Sequence, residues 1–201
     1  MVKARTAQID RVTGETNISV RLVVDGTGRS KIATGIPFFD HMLTLFAKHA
    51  LFDLDVRAKG DVQVDFHHTV EDTGIVLGQA LARALGDKKG LVRYGHFLLP
   101  MDETLARVAL DFSARPLLVF RAPKGFNLNR LKAGDFPAQL TVEFLRAFAQ
   151  EAGLTLHVEV LYSSETHHLI EAVFKGLARA IEQAVRRDPR VKGIPSTKGL
   201  L

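Results

Sequence analysis

The chain has 201 residues, of which 46% are hydrophobic and 24% are charged, so its composition is that of an ordinary globular protein with enough length to bury a sizeable core. No apolar run approaches the roughly 20 residues of a membrane-spanning helix, and no apolar signal core lies near the first residues, so we expect a cytoplasmic protein without a membrane partner. Because the sequence contains no cysteine, disulfides, thiolate metal sites and cysteine nucleophiles are excluded.

The first half alternates strand and helix patterns. Residues 3–12 alternate in character, and a period of two predicts strands over 18–24 and 30–34, which we expect to form a hairpin. Apolar residues at helical spacing, with Pro37 in the first turn, predict a helix over 37–48. The remaining predictions in this half are strands over 51–58 and 62–66 and a helix over 70–85 that ends at Gly86.

The second half repeats this order. The predictions are a strand over 103–112, a returning strand over 117–121, a loop over 124–137, a helix over 140–151 ended by Gly153, a strand over 154–161 and a last helix from 167 to about 187. The connector 87–94 is the predicted boundary, which divides the chain into halves 1–90 and 91–201. Since no Pro- or Ser-rich linker marks this boundary, we expect the halves to pack as one compact unit.

Two adjacent histidines followed by a glutamate occur twice, one hundred positions apart, as His67-His68-Thr69-Val70-Glu71 and His167-His168-Leu169-Ile170-Glu171. If each copy opens a helix, its first His and its Glu share a face and can bind one metal ion. The second His points about 100° further round the helix, so it should serve a different ion. One such motif alone is more often a solvated helix start, but two copies in equivalent contexts favour a pair of metals. Mixed imidazole and carboxylate ligands suit Mn, Fe, Zn or Ni better than Ca or Mg.

Each histidine pair is preceded by a helix that carries one further candidate ligand. His41 lies 26 residues before His67, and Glu143 lies 24 residues before His167. If the halves are related by pseudo-symmetry, each of these residues supplies the extra ligand of one metal. Glu143 has an alternative interpretation, because a helix carboxylate is usually exposed to solvent.

The net charge of +5 is modest, and the basic residues are dispersed until a basic run over 186–192. Such a run can bind nucleic acid, but no aromatic residues for base stacking are interleaved with it. A solvated helix end or an anion site is the commoner role, so no nucleic-acid partner is expected.

Several longer motifs carry a resemblance to a known family. They are Phe39-Asp40-His41-Met42-Leu43, the segment 65–72, the segment 163–179 with its HHLIEAVFKGLAR run, and Ile194-Pro195-Ser196-Thr197-Lys198-Gly199. These motifs occur in this order over nearly the whole chain, and through them the sequence closely resembles the imidazoleglycerol-phosphate dehydratases of histidine biosynthesis. The resemblance implies an α/β (α+β) fold, a tandem repeat of two half-domains in which each mixed β-sheet is covered by helices on one face.

The resemblance also implies an activity and a cofactor. Members of this family are hydro-lyases that remove water from D-erythro-imidazole glycerol phosphate to give imidazole acetol phosphate, using two Mn(II) ions per active site. They form homo-oligomeric particles of 24 subunits built from trimers, with metal sites between subunits. Two ions, one on each ring nitrogen, would hold the imidazole as an anion near neutral pH, because bound cations depress the pKa of a ligand.

Seven residues of this chain match the family's metal ligands, and Glu143 stands at an eighth ligand position. One ion is assigned His41, His68, His167 and Glu171, and the other is assigned His67, Glu71, Glu143 and His168. The pairing of residues within each copy rests on helix geometry alone. At position 143 the family usually has His, so the glutamate here could change the metal preference.

Catalytic roles follow from the same resemblance. Glu15 matches a family glutamate at the substrate and is assigned proton transfer, although a surface glutamate before a strand would look the same. Glu171 is an alternative acid or base if it shifts on its metal. Asp102 either orients a neighbouring group or is an ordinary turn residue.

The substrate's phosphate requires cations and hydrogen-bond donors. The family residues for this role match Arg93, Arg115, Lys175, Ser196 and Lys198. His49 is expected to line the substrate pocket, whereas His96 and His157 are expected to be structural or solvated. The run from Ser196 to Gly199 is too short for a Walker loop, so nucleotide binding is not predicted.

Two other functions stay open at this point. A dinuclear phosphohydrolase also uses histidine and carboxylate ligands, although such sites usually have Asp-rich motifs and a metal-bridging water. A non-catalytic assembly protein would use metals only to join subunits. The first would release inorganic phosphate, and the second would be unaffected by Glu15→Gln.

Overall fold

The structure, a computed structural model, describes residues 4–201. The first half contains β1 (Thr6–Val12), β2 (Thr16–Val23), β3 (Ser30–Ala33), α1 (Pro37–Ala50), β4 (Asp53–Gly60) and α2 (His67–Leu85). The second half contains β5 (Tyr94–Met101), β6 (Thr104–Asp111), β7 (Leu117–Arg121), β8 (Lys132–Ala133), β9 (Phe136–Pro137), α3 (Gln139–Ala152), β10 (Thr155–Tyr162) and α4 (Thr166–Ala184). Within residues 4–201, no helix combines the length and the apolar character needed to cross a membrane.

The two four-stranded sheets have the same strand order. The first is ordered β1-β2-β4-β3 and the second β5-β6-β10-β7. In each sheet the last strand runs parallel to its neighbour and the other pairs are antiparallel. Both are therefore mixed sheets, as predicted, and each takes its strands from one side of the boundary proposed at residue 90.

The helices cover one face of each sheet. The helix α2 packs on the first sheet and on α3, and α4 packs on the second sheet and on α1. Along β2, Ile18, Val20 and Leu22 point toward the helices and are fully buried, whereas the residues between them face outward. The buried side chains of both halves form one continuous hydrophobic core.

Aromatic side chains join three of the helices inside this core. The ring of Phe39 on α1 lies 5.4 Å from that of Phe144 on α3, which in turn lies 5.2 Å from that of Phe174 on α4. Each such pair contributes about 0.5–1.5 kcal/mol beyond the area it buries. Because Phe39 stands two residues before His41, this cluster fixes the position of His41 relative to α4.

The predicted hairpin of strands 18–24 and 30–34 is wrong. The strand β3 pairs in parallel with β4, with Ser30 opposite Leu54, and does not pair with β2. The connection from β2 is instead bound by the carboxylate of Asp53, which accepts hydrogen bonds from Thr27 N at 2.8 Å and Arg29 N at 3.1 Å. The turn residues alone favour a hairpin. In the folded chain, the hydrogen bonds to Asp53 hold this turn against the start of β4, so β3 pairs with β4.

The predicted strand over 62–66 is also wrong. The strand β4 ends at Gly60, and the chain then turns, with Val64 N donating to Asp61 O at 2.8 Å. Val64 is 69% exposed, so its apolar side chain was misleading evidence for a buried strand. The helix α2 begins directly at His67, whose N–H donates to Asp65 Oδ1 at 2.7 Å.

Three features of the second half differ from the predictions, and the first is that the predicted loop 124–137 contains the short paired strands β8 and β9. The strand β5 was missed, because its outward residues Tyr94 and Leu98 are apolar and obscure the alternation expected of a half-buried strand. The helix α4 ends at Ala184 and not near residue 187, since the following backbone pairs with the segment before β5, where Val92 N donates to Arg186 O at 2.8 Å.

Two glycines allow α2 to approach α3 closely. A Cβ on Gly74 would lie 2.8 Å from Phe144 O, and a Cβ on Gly78 would lie 2.7 Å from Phe148 O. Both distances are too short for a carbon against a backbone oxygen, so a larger residue would push the helices apart. Because the two contacts advance together along both helices, α2 and α3 run in the same direction and their first turns lie at the same end.

We expect Gly78→Ala to destabilise the protein, although alanine favours a helix over glycine by about 1 kcal/mol. Overpacking costs about 1–3 kcal/mol, and here the atoms that must move belong to the backbone of α3. Thermal unfolding of the metal-free protein, followed by circular dichroism, should show a lower Tm. Gly193→Ala is the control, because a Cβ there would meet nothing within 4 Å and Tm should not change. An unchanged or higher Tm for Gly78→Ala would contradict the close approach.

Candidate active site

The packing of α1 against α4 brings three predicted ligands together. His41 Nε2 lies 3.4 Å from Glu171 Oε2, and His167 Nε2 lies 3.1 Å from the same oxygen. One ligand atom from each of the three residues lies within 4.8 Å of the other two. The pair on α4 results from its i, i+4 spacing, and His41 is added by the packing of the second helix.

Glu171 is the buried centre of this cluster, with a side chain that is 8% exposed. Its other carboxylate oxygen, Oε1, lies 2.6 Å from Lys175 Nζ, one turn further along α4. Burial alone would raise the pKa of Glu171, but the hydrogen bonds from Lys175 and His167 outweigh it and lower the pKa overall. The carboxylate is therefore ionised near neutral pH and can bind a cation.

The three side chains fit a divalent transition metal. Two imidazole nitrogens and one carboxylate oxygen are the mixed donor set that Mn, Fe and Zn accept. The side chains of His41 and His167 are 49% and 44% exposed, so the cluster is open to solvent and to a further ligand. The set contains three of the four residues predicted for the first ion, and the fourth, His68, is not part of it.

The corresponding residues of α2 form only part of a second set. His67 Nε2 lies 3.5 Å from Glu71 Oε2, again at i, i+4 spacing. Among residues 4–201, no third histidine or carboxylate joins this pair as closely as His41 joins the pair on α4. The second predicted set is thus incomplete within one chain.

Glu143 occupies the position in α3 that His41 occupies in α1, the fifth residue of a 14-residue helix. The structure therefore supports the equivalence of these two residues. The carboxylate of Glu143 is bound within its own helix, by Gln139 Nε2 at 2.9 Å and by the guanidinium of Arg146. In this structure these two contacts occupy the carboxylate of Glu143, and it is not grouped closely with His67 and Glu71.

His68 faces carboxylates from two other elements. Its Nδ1 lies 3.0 Å from Asp61 Oδ2, directly after β4, and its Nε2 lies 3.7 Å from Glu15 Oε1, in the turn between β1 and β2. The hydrogen bond with Asp61, assisted by the charge of Glu15, raises the pKa of His68. Glu15 is more than half exposed, and in the described part of the chain its carboxylate accepts no hydrogen bond.

His168 has a similar environment in the second half. Its Nδ1 lies 3.0 Å from Glu103 Oε2, and its Nε2 lies 3.8 Å from Asp102 Oδ2. The hydrogen bond with Glu103 raises the pKa of His168. Asp102 is a turn residue with a φ of 48°, in the left-handed region, and it also lies beside the histidine. Asp102 is therefore a turn residue, and an orienting role for it stays a prediction.

Sequence reasoning missed Asp61 and Glu103, the two carboxylates on the Nδ1 atoms of the second histidines. A weak signal for Glu103 was present, because the dipeptide Glu-Thr occurs beside a strand at both 15–16 and 103–104, although it also occurs at 165–166. Asp61 had no such signal, since it looked like an ordinary turn residue after a strand.

Arg93, predicted to bind phosphate, lies immediately before β5 with its side chain engaged inside the protein. Its guanidinium donates to both oxygens of Asp111, at 2.7 and 3.1 Å, and to Pro195 O at 2.7 Å. The last contact ties the segment that carries Ser196 and Lys198 to the second sheet. The φ of 78° at Arg93 costs about 1 kcal/mol or more and is held by these bonds.

The other residues predicted for the substrate are dispersed. His49, in the last turn of α1, is half-buried, and burial together with the charges of Lys175 and Arg179 lowers its pKa. Arg115 is exposed in the turn between β6 and β7, and Lys198 is exposed in the C-terminal segment.

His96 and His157 lie away from these groups. Both are exposed on the outer face of the second sheet, on β5 and β10, where they pair in register with the same residue of β6, Ala109. Their positions agree with the expectation of solvated histidines.

Comparison with known proteins finds relatives over nearly the whole chain. A family model described as imidazoleglycerol-phosphate dehydratase matches residues 34–181. A protein of that name from Azorhizobium caulinodans is 59% identical over 198 residues, 98% of this chain and 98% of that protein. Another from Trichlorobacter lovleyi is 56% identical over 197 residues, 98% of this chain and 99% of that protein.

Solved structures of the same enzyme share the fold. The imidazoleglycerol-phosphate dehydratase of Staphylococcus aureus has a TM-score of 0.79 and 43% identity, covering 91% of this chain and 99% of that chain. The enzyme of Pyrococcus furiosus has a TM-score of 0.79 and 34% identity, covering 96% of this chain and 100% of that chain.

Two mixed sheets covered by helices are the fold that this chain shares with a class of hydro-lyases in histidine biosynthesis. The chain belongs to the imidazoleglycerol-phosphate dehydratase family. The predicted family, fold class and enzyme class are thereby confirmed.

Proposed function

We propose that the protein dehydrates D-erythro-imidazole glycerol phosphate to imidazole acetol phosphate at a centre that binds two Mn(II) ions. The observation that carries this proposal is the cluster of His41, His167 and Glu171, a metal-ligand set held by two packed helices. The names of the relatives state the substrate of those enzymes, and similarity over 98% of this chain supports the same substrate here.

Two ligand sets follow from the geometry and the resemblance. One ion would be held by His41, His167 and Glu171 with His68, and the other by His67, Glu71 and Glu143 with His168. When bound, two divalent cations would supply the positive charge that favours an anionic imidazole ring, from which the hydroxyl on the attached carbon would be lost more readily. Among the three glutamates of the two sets, Glu171 has the most buried side chain, 8% exposed against 45% for Glu71 and 17% for Glu143.

We infer that ligands from different subunits complete each set. His68 and His168 each lie beside their own carboxylates and apart from the His41 cluster. His41 and His167 are about half exposed, which leaves room for a ligand from outside the chain. A homo-oligomer with shared sites accounts for both features, and a particle of 24 subunits built from trimers is the form the resemblance implies.

Glu15 is the group we assign to removal of the proton from the carbon that becomes the ketone carbonyl, next to the ring-attached carbon that loses its hydroxyl. Its carboxylate is exposed, free of hydrogen bonds in the described part of the chain, and 3.7 Å from His68 Nε2. Glu171 is the alternative, but both of its oxygens are engaged, one by Lys175 and one by two histidines. A free carboxylate is the better base, so the geometry favours Glu15.

The phosphate of the substrate would lie near the C-terminal segment. Ser196 and Lys198 offer a hydroxyl and a cation on a segment that Arg93 ties to the second sheet. Because the guanidinium of Arg93 is already bound by Asp111, a positioning role for Arg93 is better supported than direct contact with phosphate. Arg115 is exposed and stays a candidate for direct contact, whereas Lys175, paired with Glu171 at 2.6 Å, could make that contact only by leaving this partner.

The test is a metal analysis of the purified protein coupled to a dehydration assay. We expect two Mn(II) ions per active site at full activity, formation of the enolisable ketone, and no release of inorganic phosphate. Activity should fall when the metal is removed by a chelator. Phosphate release would instead indicate a phosphohydrolase, and full activity without any transition metal would reject the metal centre.

Light scattering on the chelated protein tests the sharing of sites between subunits. Removing the metal should lower the particle size, because each ion would join ligands of different chains. Adding Mn(II) back should restore both particle size and activity. A particle of unchanged size after complete loss of metal would show that assembly does not depend on the ions.

A further inference from the structure

The turns β1–β2 and β5–β6 carry glutamate and threonine at equivalent positions. In the first, Thr13 N donates to Thr16 O around the turn 14–15. In the second, Met101 pairs with Thr104 around the turn 102–103. Thr16 and Thr104 are both buried, 3% and 1% exposed, so the preceding residues Glu15 and Glu103 occupy the same place in the two sheets.

The two equivalent glutamates nevertheless contact different atoms. Glu103 Oε2 lies 3.0 Å from Nδ1 of His168. Glu15 approaches the other ring nitrogen of His68, Nε2, at 3.7 Å, and Asp61 Oδ2 lies 3.0 Å from Nδ1. The same contact to Nδ1 is therefore made by carboxylates at positions that are not equivalent.

The difference arises after the third strand of each sheet in spatial order. The strand β4 is followed by Asp61, whereas β10 is followed by Ser163 and Ser164, which carry no charge. Ser163 Oγ lies 2.7 Å from Thr104 Oγ1 and so fills the space beside the buried threonine. Because no acidic residue follows β10 directly, the contact to Nδ1 of His168 is made by Glu103.

The carboxylate of Glu15 takes no part in holding the hairpin of β1 and β2, which is bound to α2 through Asp72. Thr16 Oγ1 donates to Asp72 Oδ2 at 2.5 Å, and Arg11 Nε donates to Asp72 Oδ1 at 3.3 Å. Asp72 is buried on α2, and the position at the same distance from the histidine pair on α4 is Ala172. The first half therefore holds its turn through Asp72, and Glu15 stays free.

We propose that Asp61 and Glu103 are positioning residues, which hold His68 and His168 with the proton on Nδ1 and the lone pair of Nε2 facing outward, and that Asp61 thereby frees Glu15 for proton transfer. The inference rests on the proposed function, in which Nε2 of both histidines binds a metal ion. A neutral imidazole in water carries its proton mainly on Nε2, so a carboxylate on Nδ1 reverses the preference and also fixes the ring plane.

Metal affinity is the first test. Loss of the carboxylate partner of a ligand histidine typically weakens metal binding about 10- to 100-fold, so Asp61→Ala and Glu103→Ala should each raise the Kd for Mn(II) by that factor. Asp61→Asn, which keeps an acceptor oxygen, should recover most of the affinity. Glu159→Ala is the matched control, because it removes a carboxylate that pairs with Arg107 on the outer face of the second sheet, and its Kd should equal that of the wild type. Values for Asp61→Ala and Glu103→Ala equal to the control would overturn the proposal.

Nitrogen NMR of the metal-free protein, labelled on histidine and recorded well above the pKa of histidine, is the second test. His68 and His168 should show the Nδ1-protonated form in the wild type. In Asp61→Ala only His68 should change to the Nε2-protonated form, and in Glu103→Ala only His168. Unchanged forms in both variants would overturn the proposal. This measurement needs no metal, so a protein that binds no Mn(II) would contradict the proposed function while still showing whether the two carboxylates orient the histidines.

Discussion

Glu171→Gln should remove nearly all activity, with kcat/KM falling at least about a thousandfold, which corresponds to ~4 kcal/mol of transition-state stabilisation. The substitution preserves the shape of the side chain but removes the charge on which His41, His167 and Lys175 converge. It also leaves the ammonium of Lys175 beside a neutral amide, so the cluster would repel a cation. Metal analysis after dialysis should therefore show the loss of the ion assigned to this cluster.

Glu182→Gln is the matched control for this prediction. Glu182 is a second buried carboxylate on α4, and it accepts hydrogen bonds from Arg186 at 2.7 and 2.8 Å, away from the histidines. Its substitution should leave the metal content and kcat/KM at wild-type values. If Glu171→Gln retained the same metal content as this control, the His41 cluster would not be a metal site.

The ligand pairs within helices could be predicted from the sequence because they depend on local geometry alone. The i, i+4 spacing of His67 and Glu71 and of His167 and Glu171 gives contacts of 3.5 and 3.1 Å once each helix forms. The addition of His41 required only that the helix before one pair packs against the helix of the other. The repeat alone did not say which pair His41 joins, and its assignment to the pair on α4 came from the family resemblance.

Features that depend on distant residues could not be predicted. The strand β3 pairs with β4 because Asp53 binds the turn that contains Thr27 and Arg29, and nothing within that turn reveals this partner. Asp61 and Glu103 likewise contact histidines that lie 7 and 65 residues away in the sequence. Local patterns identify strands and helices, whereas such contacts follow from the order of strands in the sheet.

At Glu143 the structure shows an ion pair that was not predicted from the sequence. Its equivalence to His41 could be predicted from the spacing, but its ion pair with Arg146 competes with any metal. An i, i+3 pair on a helix surface contributes only about 0.2–0.5 kcal/mol, which is small beside the binding of a divalent cation. The pair with Arg146 is thus a weak obstacle, and Glu143 stays a proposed ligand of the second ion.

Glu15→Gln should lower kcat about 100- to 10,000-fold, the usual contribution of a general base, while metal content and particle size stay at wild-type values. The amide cannot accept the proton, but it has nearly the same size as the carboxylate. Because the carboxylate of Glu15 accepts no hydrogen bond in the described part of the chain, its loss should leave the surrounding structure intact. Steady-state kinetics and light scattering on the manganese-loaded protein measure the two effects.

Glu103, the residue of the second sheet equivalent to Glu15, is the comparison that makes this prediction specific. Glu103→Ala should raise the Kd for Mn(II), because Glu103 contacts His168, whereas Glu15→Gln should leave that Kd unchanged. Substitutions at equivalent positions of the two sheets would then have different effects. Glu15→Gln would slow the chemical step, and Glu103→Ala would weaken metal binding. If Glu15→Gln kept the wild-type kcat, proton removal would belong to another group, and Glu171 would be the first to test, since it is the other carboxylate at the metal ligands.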